Sequence, residues 1–188
     1  MKKQPQITEK TKKNLMTSFW DLYKNKDLSK ITISNICDKA KYERTTFYRY
    51  FNDISDIITQ LEDEVINNLK KDINNKGTTN NHQGIFYEGF KEFNDKYGEY
   101  IVYFYLKGNV NFYNKFKDLV KTDVYDYLEF NVDDEIKKDF IFEFLFSSLL
   151  NQYSYWYKHK NLMPLQSFVE LSNTILSNGV KSILEYKK

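Results

Sequence analysis

Apolar side chains return at helical spacing along almost the whole chain. Leu15, Phe19, Leu22 and Tyr23 fall at i, i+4, i+7 and i+8, one face of an amphipathic helix. Ile33, Ile36, Cys37 and Ala40 repeat the pattern behind Thr32, a good N-cap, and predict a helix of about two turns. After Lys41-Tyr42-Glu43, the stretch Arg44–Phe51 reads as a third helix, with Phe47, Tyr50 and Phe51 turned to one side. Asn52-Asp53 then caps a longer helix through Ile54, Ile57, Ile58, Leu61, Val65, Leu69 and Ile73. Six Gly and two Pro are too few for a turn-rich β fold. An all-α fold is expected.

Residues 74–84 are polar and contain Gly77 and Gly84, which predicts a loop. Beyond it, Phe86, Phe90, Phe93 and Tyr97 suggest a helix ending near Gly98, and Tyr100, Tyr103, Phe104 and Leu106 a short one ending near Gly108. Phe112, Phe116, Leu119, Val120, Val124, Tyr127 and Leu128 suggest the next. Asp133-Asp134 caps a helix to His159 that is apolar nearly all round, and Pro164 opens a last one. The count is about nine helices. Two domains are expected: a small three-helix unit over 1–53, and a helical unit over 54–188 whose first helix, 54–74, connects the two.

Charge divides along the same line. Residues 1–51 hold 12 Lys/Arg and 5 Asp/Glu, whereas 52–188 hold 16 and 21, so a net charge of +2 conceals a basic head and an acidic body. The head suits a polyanion, although a lysine-rich solvated surface has the same composition. No run approaches the roughly 18 apolar residues of a membrane helix. The basic start has no apolar stretch behind it, so no secretory signal is expected. The single Cys37 excludes an internal disulfide and fits a cytoplasmic setting. No Gly-x-Gly or Gly-Lys-Ser/Thr string marks a nucleotide loop. His82, His159 and Cys37 form no metal set at ligand spacing. Glu62, Asp63 and Glu64, and Asp133, Asp134 and Glu135, read as solvated faces and caps. No cofactor, metal or catalytic residue is expected, and the chain reads as a non-enzyme.

The outward side of the third helix carries the informative chemistry. Arg44 and Arg49 suit bidentate pairing with guanine or phosphate, and the hydroxyls of Thr45 and Tyr48 suit phosphate. Two short helices joined by a tight turn form a helix-turn-helix, whose second helix enters the major groove. Each residue also has a plainer reading: Tyr48 as a half-buried packing ring, Arg44 as a solvated charge, Glu43 as a partner of the helix dipole. Residues 31–40 followed by Arg44-Thr45-Thr46-Phe47-Tyr48-Arg49-Tyr50-Phe51 resemble the TetR/AcrR family of transcriptional repressors, without a gap from about Thr11 to Ile58. The resemblance implies a homeodomain-like DNA-binding head and a helical effector-binding and dimerisation body. It implies that Thr32, Thr46 and Tyr48 contact phosphates and that Tyr42, Glu43, Arg44 and Thr45 lie at or near base edges. Two positions depart from the family pattern. Lys41 stands where the turn usually has Gly, and is itself a candidate phosphate contact. Ile54 stands where many members carry a phosphate-pairing lysine.

The helix Asp134–His159 needs cover on most sides, and a partner subunit is a natural source, with the last two helices of each protomer forming a four-helix interface. Aromatic residues make up 18% of the chain. They read either as core and interface or as the lining of a cavity for a flat, aromatic or cationic effector, with Tyr97, Tyr103, Phe112, Phe116, Tyr153 and Trp156 as candidates. The expected function is a ligand-responsive repressor binding a pseudo-palindromic operator in double-stranded DNA as a homodimer, with no membrane partner. The alternative is a helical small-molecule-binding or protein-interaction module without DNA binding.

Overall fold

The computed structural model describes residues 5–76, 87–129 and 134–184. Among them are eight α-helices and no strand: α1 (Pro5–Asn25), α2 (Ile33–Ala40), α3 (Arg44–Phe47), α4 (Ile54–Lys76), α5 (Tyr87–Leu106), α6 (Val110–Glu129), α7 (Glu135–Lys158) and α8 (Leu165–Leu184). A 3-10 turn, Leu28–Lys30, joins α1 to α2. The chain divides into two compact units, Met1–Asn67 and Asn68–Lys188. The division falls inside α4, so Ile54–Asn67 group with the first unit, whereas the sequence places the boundary ahead of that helix.

The first unit has a core of large apolar side chains. Leu15, Phe19 and Tyr23 of α1 are buried as their spacing predicts, and Met16 and Trp20 beside them are buried too. Ile36 and Cys37 of α2, Phe47 of α3 and Ile57 of α4 are also buried. Burial pushes the Cys37 thiol up, as for a small core hydrophobe rather than a nucleophile. α2 starts with a reciprocal capping box: the Thr32 hydroxyl accepts from the Asn35 backbone N–H, and the Asn35 side chain accepts from that of Thr32, each at 3.2 Å. α4 has a similar start, since Asp53 accepts from the Asp56 N–H and Asp56 from the Asn52 N–H, both at 2.8 Å.

Three expectations about α3 and α4 are corrected. The third helix is one turn, Arg44–Phe47, rather than the whole of Arg44–Phe51. Past Phe47 the backbone tightens, with Arg49 N–H bonding to Thr46 O at 3.2 Å and Tyr50 N–H to Phe47 O at 2.9 Å, one residue closer than α-helical pairing. This turn brings Phe51 against Phe47, with ring centroids 5.4 Å apart, and leaves Tyr50 half-buried at the edge of the core. Glu62 is not on a solvated face but 1% exposed, because it shares a helical side with Ile58, Leu61 and Val65. α4 runs to Lys76, past the expected end at residue 74.

In the second unit, Gly98 does not end a helix. α5 runs straight through it. A Cβ on Gly98 would stand 2.2 Å from the Tyr153 hydroxyl, so this glycine clears space for a ring from α7. Gly108 does terminate α5, at φ +66°, with Gly108 N–H bonding to Tyr105 O and Asn109 N–H to Phe104 O. Asn109 then caps α6 by accepting from the Phe112 N–H at 3.0 Å. Asp134 caps α7, accepting from the N–H groups of Ile136 and Lys137. Pro164 precedes α8, and its carbonyl accepts the helix bond from Phe168. Phe86, Asp133 and the expected break over 77–84 lie outside the described residues.

α7 buries Phe142, Phe146, Leu150, Tyr153 and Trp156 within its own unit. Its other side is bare: Ile136, Phe140 and Phe144, at i, i+4 and i+8, are 70%, 75% and 67% exposed. Leu171 and Ile175 of α8 are exposed as well. The expected cover on most sides of α7 is therefore not supplied by the chain's own described residues.

Candidate nucleic-acid interface

α2, the turn and α3 present most of the predicted contact residues outward. Thr32, Lys41, Glu43, Arg44, Thr45, Tyr48 and Arg49 are exposed, while Tyr42 and Thr46 are half-buried. Tyr48 is 58% exposed and only leans the edge of its ring on Phe47, so the half-buried packing reading of this tyrosine is set aside. Phe47 beneath it is fully buried and anchors the turn of helix that carries these side chains. The Thr32 oxygen accepts within the capping box, which leaves its hydroxyl proton for an outside acceptor. Glu43 precedes α3 without spending its carboxylate on a cap.

Two contacts cross the motif between residues far apart in the chain. Asn14 of α1 donates to the Tyr42 hydroxyl at 3.1 Å, from 28 residues away. Arg44 donates from its guanidinium to the Ser34 hydroxyl on α2. Neither pair sits at a local spacing, so neither leaves a signal in the linear sequence. Part of the basic surplus is spent internally: Lys24 and Lys39 pair with Asp21, and Lys30 with Asp27.

The start of α4 gives the Ile54 departure a physical form. Asp56 lies below the usual carboxylate range, held first by the Gln60 amide and then by the Asn52 backbone N–H. The Asn52 and Asp56 N–H groups, natural donors for a phosphate at a helix start, are already bonded to carboxylates. Lys41 takes the left-handed conformation, φ 59° and ψ 46°, at the end of α2. Tyr42 N–H bonds to Cys37 O and Lys41 N–H to Asp38 O, a helix ending for which glycine is the usual residue.

Five of the six candidate effector contacts divide between two aromatic clusters of the second unit. Tyr97, Tyr153 and Trp156 belong to one, with Phe93 6.1 Å from Tyr97, and with Trp156 stacked on Phe168 at 5.0 Å. Phe112 and Phe116 belong to the other, where Phe104 lies 4.4 Å from Phe112 and Phe146 5.7 Å from Phe116. Tyr103 is half-buried. In the first cluster each polar tip has a protein partner. Tyr97 donates to Asp72 at 2.7 Å, Tyr153 to Asn94 at 2.9 Å, and the Trp156 indole to the Met163 carbonyl at 2.8 Å. Burial, then the bond to Asp72, pushes the Tyr97 hydroxyl up to about 12, and burial pushes Tyr153 up further, so both remain donors at neutral pH. Lys96 bridges Asp72 and Glu92, so the carboxylate beside Tyr97 already has a cation.

No family model and no curated protein matches the chain. Among solved structures it is similar to a TetR transcriptional regulator from Streptococcus agalactiae 2603V, at 21% identity and a TM-score of 0.65, over 91% of this chain and 96% of that one. It is also similar to the dihydroxyacetone kinase operon activator DhaS, at 16% identity and a TM-score of 0.57, over 95% of this chain and 98% of that one. The chain has the TetR fold. The TetR pattern makes Lys41 the residue of interest, since a side chain in that conformation costs about 1–2 kcal/mol that glycine avoids. Lys41→Gly should therefore raise stability by about 1 kcal/mol in urea unfolding. If Lys41 meets a phosphate, the same substitution should lower the slope of log affinity against log salt by about one unit. None of the described helices is long and apolar enough to cross a membrane.

Proposed function

We propose that this chain is a ligand-responsive transcriptional regulator. As a homodimer it represses by occupying a pseudo-palindromic operator in double-stranded DNA, and it works in the cytoplasm without enzymatic activity. The observation that carries this reading is the α2–α3 pair: exposed Arg44, Thr45, Tyr48 and Arg49 ride on a buried Phe47 in the basic part of the chain. Arg44 takes the role of base reader, with Tyr42, Glu43 and Thr45 near base edges. Thr32, Lys41, Thr46, Tyr48 and Arg49 take phosphates. The bare stripe of α7, with Leu171 and Ile175 of α8, supports the dimer, which sets two recognition elements on half-sites about one helical turn apart. The aromatic clusters of the second unit are where a flat or cationic effector acts, by fitting better in a state that misplaces the DNA-binding heads. The similar fold of an operon activator shows that this architecture also serves activation, so the sign of the response is read from a reporter fused to the operator.

Binding measured across salt and sequence tests the reading. Affinity should fall steeply with salt, in proportion to the phosphates neutralised. Arg44→Ala should relax preference at one base pair by about 1–3 kcal/mol. Thr46→Ala and Tyr48→Phe should weaken all sequences alike. Equal, sequence-blind losses for all three variants would contradict the assigned roles, and salt-independent or absent binding would favour a carrier or interaction module.

A further inference from the structure

We propose that Ser34 is a positioning residue for DNA reading: its hydroxyl on α2 holds the Arg44 guanidinium in place across the turn before DNA arrives. The inference rests on the DNA-binding reading and adds to it a residue with no direct claim on a base.

Arg44 is the first residue of α3 and is exposed, so its long side chain is free to sample many rotamers unless a specific contact orders it. Ordering such a chain on binding opposes association. The bond from its terminal nitrogen to the Ser34 hydroxyl supplies that order in the free protein. Ser34 is itself well fixed. It lies in the first turn of α2, between Thr32 and Asn35, whose reciprocal bonds lock that turn. Ile36 and Cys37, directly after it in the core, hold the helix in place. Ser34 is half-buried, which limits where its hydroxyl can go. The bond uses one of the five guanidinium N–H groups, and four remain in a planar fork that matches the two acceptors of a guanine edge. A serine hydroxyl also keeps acceptor and donor capacity of its own, so it holds the arginine without neutralising it. A carboxylate in that place would compete with DNA for the charge.

The test uses the full chain. Wild-type protein selects its preferred duplex from a randomised pool, and dissociation constants are then measured for that duplex and for each single base-pair change. Ser34→Ala is expected to lose about three- to tenfold of the discrimination at the base pair that Arg44→Ala also affects, with little change elsewhere. Ser34→Thr, which keeps the hydroxyl, should restore it. In an Arg44→Ala background, Ser34→Ala should have no further effect. A uniform loss for all duplexes, unchanged discrimination, or a loss that persists without Arg44 would overturn the role of Ser34 while leaving the DNA-binding reading intact. A wild type that selects no sequence would overturn both.

Discussion

Gly98→Ala should destabilise the protein by about 1–2 kcal/mol, because a methyl group forced into a filled core costs up to about 3 kcal/mol and replacing a glycine inside a helix returns about 1 kcal/mol. The added Cβ would fall 2.2 Å from the Tyr153 hydroxyl and 3.1 Å from the Asn94 side-chain oxygen that this hydroxyl bonds. The tip of a free side chain would swing away, but Tyr153 is 5% exposed and its ring lies among Phe90, Phe93, Trp156 and Phe168. The ring cannot move without moving them. Tyr153→Phe removes the colliding oxygen, and the nearest ring atom then stands 3.5 Å from the new Cβ, an ordinary contact. Alone, Tyr153→Phe should cost about 1 kcal/mol for the lost hydrogen bond. Combined with Gly98→Ala, it should give a protein more stable than Gly98→Ala by itself. Urea unfolding of the four proteins measures this cycle. Gly98→Ala within about 0.5 kcal/mol of wild type would show that α5 and α7 do not meet at this glycine.

If the proposed dimer forms through the bare stripe of α7, Phe140→Glu with Phe144→Glu should convert the protein to a monomer and abolish tight binding to the proposed operator. The two rings are 75% and 67% exposed, lie one helical turn apart, and continue the line of Ile136. Charged residues flank the stripe: Asp139 pairs with Lys121 of α6, Glu143 with Lys117, and the exposed Lys137 reaches back to Asp134. The stripe itself carries no charge, and beyond Phe144 it passes the small exposed Ser147 and Ser148. Burying a phenylalanine side chain contributes about 1.5–3 kcal/mol, and two-fold symmetry counts each ring twice. Replacing the rings with carboxylates removes that burial and sets like charges face to face. Sedimentation equilibrium should show at least a hundredfold weaker self-association, roughly 2.7 kcal/mol or more. Circular dichroism should be unchanged, since neither ring contributes to the core of its own unit. A variant that remains dimeric would place the interface elsewhere.

The helices were legible wherever spacing and caps agreed. Thr32 before an apolar pattern, Asn52-Asp53 before the next and Asp134 before another all turned out to be working caps, because capping depends on neighbours within three or four residues. The glycines show where legibility stops. Gly98 and Gly108 each follow an apolar run and look alike in the sequence. Only Gly108 has a positive φ, and the role of Gly98 is set by a tyrosine far along the chain. The length of α3 escaped for a related reason. Arg44–Phe51 has a helical pattern, and the tightening after Phe47 follows from seating Phe51 in the core rather than from any residue's helix propensity. Lys41 was correctly suspect, since it must take a conformation that suits glycine. The outward residues of α3 were readable because burial of Phe47 and Phe51 fixes what must point away. The contacts of Ser34 with Arg44 and of Asn14 with Tyr42 were not, because they join residues 10 and 28 positions apart. Aromatic residue type alone does not say which rings share a space, and the fold distributes all the proposed effector contacts but Tyr103 over two aromatic clusters.

Every role assigned to the first unit depends on sequence-selective DNA binding through α2 and α3. Fluorescence anisotropy of the purified protein, with DNA from upstream of its own coding region against a scrambled duplex of equal length at physiological salt, tests it most directly. Nanomolar binding to the upstream fragment is expected, with binding at least about a thousandfold weaker to the scrambled one. Equal, weak binding to both, unchanged by Arg44→Ala, would contradict it.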